Sequence, residues 1–355
     1  MSEITTNEIV PAVKATQVHK AFGNLHVLKG IDMTVMPGTV TVILGPSGSG
    51  KSTFLRLINQ LETLTGGEID VDGEMIGYKY VDKGGERVLQ TLNDKEVAEQ
   101  RSKLGMVFQR FNLFPHMTAL ENVMEAPVHV KHMDKKEARE LAIQELNRVG
   151  MGERLDYYPA QLSGGQQQRV AIARALATNP KIILCDEATS ALDPTTTTSI
   201  LNLLREINRK MGITIVIITH EMSVVESTCT HVAIIDDGRL AECGTVESVF
   251  SQPKSAAAKK LIFRTTGADS GAMGERMIRI VFEGSSADEP TISDLAMQCH
   301  VAVNIRYADT REVSGKLFGQ MILQLPEDHL QQEKAIYFLQ NKGLRVEEVT
   351  DRVHG

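Results

Sequence analysis

Three groups of residues in this chain have the types and spacing to handle a phosphate chain. The first is Gly45-Pro46-Ser47-Gly48-Ser49-Gly50-Lys51-Ser52. An apolar run, Val40-Thr41-Val42-Ile43-Leu44, leads into it, and Thr53-Phe54-Leu55-Arg56-Leu57-Ile58 reads as the start of an amphipathic helix. A buried strand, a glycine loop and a helix N-terminus are the context that turns G-x-x-x-x-G-K-S from a string match into a phosphate cradle. Glycines let successive N–H groups turn inward, and the helix dipole adds positive potential where an anion would sit. The cradle is expected to run from Gly45 to Thr53, with Lys51 reaching the β- and γ-phosphates and the Ser52 hydroxyl able to ligate Mg²⁺. Such a motif implies a nucleoside triphosphate.

The second group is Ser163-Gly164-Gly165-Gln166, which opens directly into Gln167-Gln168-Arg169-Val170-Ala171-Ile172-Ala173-Arg174-Ala175-Leu176, a strong helix pattern. Free N–H groups at its start make another anion site, although a Ser-Gly-Gly turn also serves as a plain helix cap. The third group sits where apolar runs end. Lys181-Ile182-Ile183-Leu184-Cys185 delivers Asp186-Glu187, residues 213–218 deliver Thr219-His220, and Leu104-Gly105-Met106-Val107-Phe108 ends on Gln109. In an open α/β sheet, polar residues at the carboxyl ends of strands face the ligand crevice.

Positioning these groups requires a parallel sheet covered on both faces, because the apolar runs are continuous and separated by helical stretches. Residues 13–35 suggest short strands turning at Gly23-Asn24, with Phe22 either stacking on a base or packing on its own sheet. Gly66 to Gly73 reads as a strand and tight turn, and the polar stretch 77–99 as a solvated hairpin or loop. Phe111, Leu113, Phe114, Pro115 and Met117 form an aromatic-rich irregular segment. Residues 135–149 and 195–209 read as helices, with a turn at Ser190-Ala191-Leu192-Asp193-Pro194 between the second and its preceding strand.

The glycine loop, the glutamine, L-S-G-G-Q, four apolar residues before Asp-Glu, S-A-L-D and T-H occur in that order, and over about residues 13–262 the chain resembles the ATPase subunit of an ATP-binding cassette (ABC) transporter. The resemblance implies ATP and Mg²⁺ as cofactors. It makes Asp186 the Mg²⁺ acid, Glu187 the general base, His220 a contact to the γ-phosphate and Gln109 a sensor of Mg²⁺ and water. It implies a homodimer in which Ser163, Gly164, Gly165 and Gln166 of one copy close on the nucleotide of the other, with Asp193 at the seam. It further implies two separate transmembrane permease subunits docking at residues 111–117, and an extracytoplasmic substrate-binding protein reached through them. The stretch Phe108 to Thr118 and the 77–99 insertion resemble importers of polar amino acids, whereas Ala188 is similar to methionine importers.

Beyond the polar, glycine-rich residues 264–276, expected as a linker, the pattern is strand 277–282, helix 291–299, strand 301–307, strand 316–325, helix 327–341 and strand 344–349. That order is the ferredoxin-like split unit. The fold class is therefore α/β, a P-loop ATPase domain over 13–263 with a parallel core and helical subdomain, then a small ferredoxin-like α+β domain over 277–350. The second domain carries no acid/base pair or metal cluster and resembles the regulatory domain of methionine importer ATPases. That resemblance implies an amino-acid effector, for which Asn304 is the candidate contact; its other reading is a satisfied edge-strand amide.

With 42% apolar and 23% charged residues the chain is of soluble globular type. Its net charge of −7 offers no general attraction for nucleic acid, which argues against an ABC ATPase acting on chromosomes. Retention of Lys51, Asp186, Glu187 and His220 argues against a vestigial ATPase serving only as a sensor. No apolar run approaches the ~20 residues of a membrane span. The polar N-terminus is unlike a signal peptide, and the four cysteines are scattered; both point to the cytoplasmic face of the membrane.

Overall fold

The computed structural model describes residues 9–188, 192–219, 222, 225, 228–262, 276–283, 289–313 and 316–349. Two compact units part after Thr245. The expected linker at 264–276 lies, apart from Arg276, outside the described residues.

The first unit opens with β1 (Val13–Phe22) and β2 (Leu25–Val35), a hairpin turning at Gly23 with φ 57. These strands are longer than the short ones expected, because pairing along a shared register extends each one beyond its apolar stretch. Then come β3 (Val40–Leu44), α1 (Lys51–Ile58), β4 (Gly66–Val71), β5 (Glu74–Met75), β6 (Tyr78–Lys83), β7 (Glu86–Thr91), α2 (Asp94–Ser102) and β8 (Leu104–Val107). The unit continues with α3 (Ala119–His129), α4 (Lys135–Arg148), α5 (Gly164–Leu176), β9 (Ile182–Asp186), α6 (Pro194–Met211), β10 (Thr214–Ile218), β11 (His231–Asp236) and β12 (Arg239–Thr245).

Its main sheet has the order β12-β11-β3-β10-β9-β8, parallel throughout except for the edge strand β12. Every residue of β3, β9 and β10 is buried, as strands covered on both faces must be. A second, antiparallel sheet runs β2-β1-β4-β5. One apolar cluster joins the two sheets through α1, whose Phe54, Leu55, Leu57 and Ile58 are fully buried beside Ile31 and Ile69 of one sheet and Leu184 and Ile218 of the other. Helices α3, α4 and α5 pack on one another, and α5 joins them to β8 and α6.

Helix boundaries follow their caps. Thr118 and Glu121 form a capping box on α3, and Asp193 caps α6 before Pro194 at its first position. The Asp193 carboxylate takes hydrogen bonds from Thr196 and Thr195, which hold its pKa down to about 2. The polar insertion forms the exposed β6–β7 hairpin and then α2, which Gln100 ties back through hydrogen bonds from Gln60 (2.6 Å) and the Gly77 N–H (3.1 Å).

The second unit holds α7 (Val246–Ser251), α8 (Ala256–Ile262), β13 (Met277–Glu283), α9 (Thr291–Cys299), β14 (Asn304–Val313), β15 (Lys316–Gln324), α10 (His329–Asn341) and β16 (Arg345–Glu348). Its sheet order β14-β15-β13-β16, all antiparallel, is that of the split unit. Ile278, Ile280 and Phe282 meet Leu295, Ala335 and Leu339 in the core. One strand differs from expectation. The expected range is 301–307, but the strand runs from Asn304 to Val313: Val301 is recruited into the core, and a bulge after Ile305 lets residues 308–313 pair with β15.

Truncating the centre of this arrangement tests it. Phe54→Ala should destabilise the first unit by about 3–5 kcal/mol. Urea unfolding followed by far-UV circular dichroism reads this, since the chain has no tryptophan.

Candidate nucleotide site

The register of the parallel sheet assembles the site. Ile43 of β3 and Asp186 of β9 both lie opposite Ile218 of β10, so the three strands release their next residues along one edge. From that edge emerge the glycine loop, Glu187 and Thr219. His220 lies outside the described residues.

The loop needs its glycines for specific reasons. Gly45 has φ 149, and a Cβ there would overlap the carbonyl oxygen of Ile235. Gly50 caps α1 in the left-handed region at φ 100, with Leu28 Cδ2 only 2.6 Å from where a Cβ would stand. Pro46, Ser47 and Gly48 form an exposed crown over buried Ser49. Lys51 is buried and turns back into the loop, donating to the carbonyls of Gly45 (2.9 Å) and Pro46 (2.8 Å). Burial pushes its pKa down, and the charges of Glu187 and Asp186 oppose that shift without cancelling it. Ser49 Oγ is buried with no hydrogen-bond partner. An orphaned hydroxyl at the centre of a glycine cradle, beside a lysine held only by carbonyls, fits a phosphate oxygen.

Ser52 and Asp186 are brought together. The Ser52 hydroxyl donates to Asp186 Oδ1 at 2.8 Å, and Arg56 reaches Oδ2 at 3.3 Å. Asp186 is only 6% exposed. An oxygen pair of hydroxyl and buried carboxylate suits a hard divalent cation. Glu187 follows with φ 48, a left-handed backbone for a non-glycine residue that turns the chain sharply out of β9. The neighbouring Cys185 is an inert buried thiol, its pKa pushed up to about 12.

Other expected residues stand apart from this cluster. Phe22 is 45% exposed at the end of β1, with the Lys20 ammonium 4.5 Å from its ring centroid. Lys20 is itself buried, donating to the Thr63 carbonyl and paired with Glu62 at 3.1 Å. Gln109 is exposed in a turn just beyond β8. Ser163 and Gln166 form a capping box on each other's backbone at the start of α5, so the plain cap is realised there. Gly164 packs against Leu192 and Phe111, and a Cβ on Gly165 would overlap Thr196. In the second unit Asn304 is exposed on the edge strand β14, and its amide donates to Gln324 at 3.2 Å.

Sequence reasoning missed Arg56, Lys20 and Arg174. Arg56 lies four residues after Ser52 on one helix face, and Lys20 two before Phe22 on one strand face, so periodicity could have found both.

A glycine cradle on a parallel sheet, an acidic pair at the next strand end and a capped Ser-Gly-Gly helix define a P-loop nucleotide-binding domain of the ABC type. A model of the ABC transporter family matches residues 28–190, and one of the NIL domain matches 276–348. The methionine import ATP-binding protein MetN of Desulfitobacterium hafniense is 42% identical, covering 90% of this chain and 93% of its own length. MetN of Escherichia coli is 40% identical over 93% and 95%. The arginine transport ATP-binding protein ArgV of Corynebacterium glutamicum is 48% identical but covers 70% of this chain and 96% of its own. A dimeric ATP-binding cassette solved in a post-hydrolysis state with ADP and Pi superposes with TM-score 0.57, at 38% identity, over 66% of this chain and 98% of its own. The chain belongs to the ABC transporter ATP-binding family.

Gly45→Ala should lower affinity for a fluorescent ATP analogue about tenfold or more, since the Cβ forces the loop away from Ile235. Fluorescence titration, with circular dichroism to verify folding, measures it.

Proposed function

We propose that this protein is the ATP-hydrolysing motor of an amino-acid importer, most specifically for methionine, regulated by its NIL domain. The carrying observation is the pairing of a cassette with a NIL domain in one chain, in the arrangement of MetN relatives that match over 90% or more of its length. The arginine relative matches the cassette alone, so the cassette does not discriminate cargo. It leaves a polar amino acid as the second reading.

In this reading residues 13–263 form the motor and 277–350 the sensor. Phe22 stacks on the adenine, residues 45–53 cradle the phosphates, and Lys51 exchanges the Gly45 and Pro46 carbonyls for phosphate oxygens. Ser52 and Asp186, with Gln109, would hold Mg²⁺, which would supply charge neutralisation to the phosphates. Glu187 takes the proton of the attacking water, and His220 orients it. Positioning and charge account for most of the catalysis of phosphoryl transfer.

Ser163, Gly164, Gly165 and Gln166 close on the nucleotide of a second copy, which the dimeric cassette structure supports by analogy. Two permease subunits dock at residues 111–117, where Phe114 is 40% exposed and Asn122 pins the loop through hydrogen bonds to Phe114, Met117 and Thr118. The permease in turn receives cargo from an extracytoplasmic binding protein. No described helix is long and apolar enough to cross a membrane, consistent with peripheral attachment at its cytoplasmic face. The effector amino acid contacts Asn304. Gln320, which shares the Asn304 side of the sheet by register, has its buried Oε1 without a partner and could accept an ammonium.

Two measurements test this. Basal Mg²⁺-dependent ATPase should fall at least about a hundredfold in Glu187→Gln, with ATP-analogue binding retained; equal turnover in the variant removes Glu187 as the base. Calorimetry on the full chain should detect saturable L-methionine binding, weakened about tenfold in Asn304→Ala. Arginine binding instead would favour the second reading, and binding of neither would overturn the sensor.

A further inference from the structure

Arg174 lies in the last turn of α5, in the otherwise apolar run Val170-Ala171-Ile172-Ala173-Arg174-Ala175-Leu176. Among the described residues no carboxylate bonds it. Its guanidinium donates to two consecutive backbone carbonyls, Phe111 at 3.0 Å and Asn112 at 2.6 Å. A charged group held only by carbonyls, and with its pKa lowered by burial, is an expensive way to fix a loop unless the loop's position matters.

The loop is unusual too. Phe111 and Asn112 both adopt left-handed backbone, φ 60 and 51, and neither is glycine. Consecutive residues in that region are strained, and they persist where surrounding contacts over-determine them. The Phe111 ring supplies a second contact, lying 3.7 Å from where a Cβ of Gly164 would stand. One short segment, starting two residues after Gln109, is therefore tied to both the first and the last turn of α5. The first turn carries Ser163, Gly164 and Gly165.

We propose that Arg174 is a positioning residue that keys the Ser163–Gly165 turn to the Gln109 turn, so that displacement of residues 111–117 moves the two together. The inference rests on the ATPase reading above. Arg174 acts through Phe111 and Asn112. A lysine does not reproduce it here, because Asn112 and Phe111 are met by two separate nitrogens, Nη1 and Nη2, and a single ammonium would have to draw both carbonyls to one point. Side chains that disfavour left-handed backbone at position 112 should mimic its loss, and glycine there should not.

The test uses the full chain and four variants: Arg174→Lys, Arg174→Met, Asn112→Val and Asn112→Gly. ATPase turnover of the native chain is measured first; without it the ATPase reading fails, independently of Arg174. Binding of an ATP analogue, kcat, and ATP-driven dimerisation in a Glu187→Gln background are then compared. Arg174→Lys, Arg174→Met and Asn112→Val are expected to bind the analogue within about twofold of native while kcat and dimerisation fall about tenfold. Asn112→Gly is expected to remain within twofold throughout. Native kcat in Arg174→Met or Asn112→Val would overturn the proposal. So would a parallel loss of analogue binding and melting temperature in all the variants, which marks a purely structural role.

Discussion

The shared parallel register of β3, β10 and β9 is the constraint on which the rest of the first unit depends. Because Ile43 and Asp186 flank Ile218, a loop built for phosphate and a pair of carboxylates emerge side by side with no further adjustment. The Ser52–Asp186 hydrogen bond then ties α1 to β9, and α1 is the element whose apolar face joins the two sheets. Phosphate chemistry and core packing therefore use opposite faces of one eight-residue helix. A shift of α1 that disturbed either face would disturb the other.

Much of this was legible in the sequence where chemistry restricts residue choice tightly. The glycines at 45, 48 and 50 all have positive φ, and their spacing alone announces the loop. Fully buried strands were legible because apolar residues dominate them, with Thr41 the one polar residue inside any of the three. The register of β14 was not, because residues 308–313 alternate poorly and their pairing is imposed by β15 rather than by their own apolar pattern. Arg174 was also out of reach. Its partners are backbone carbonyls, and no side-chain pattern marks a carbonyl that a left-handed turn has aimed at a helix.

The second unit owes its form to a different balance. Its sheet has helices over one face, with Ile278, Ile280 and Phe282 directed toward them, while alternation sends Asn304, Gln320 and Gln324 to the other side. That side is not a polar surface: Met277 and Ile322 share it by register and are buried, and Gln320 is itself buried among them.

The inward-turned Lys51 has one more consequence. By donating to the Gly45 and Pro46 carbonyls it occupies the cradle with an internal stand-in, so an arriving anion enters by exchange rather than by filling an open hole. Exchange sets a threshold. A halide offers a single atom and a carboxylate two oxygens, fewer than the three contact points set by the two carbonyls and Ser49 Oγ, whereas a linked chain of phosphates presents several oxygens at once. Any anion that takes the cradle must therefore compete with two bonds the lysine already has.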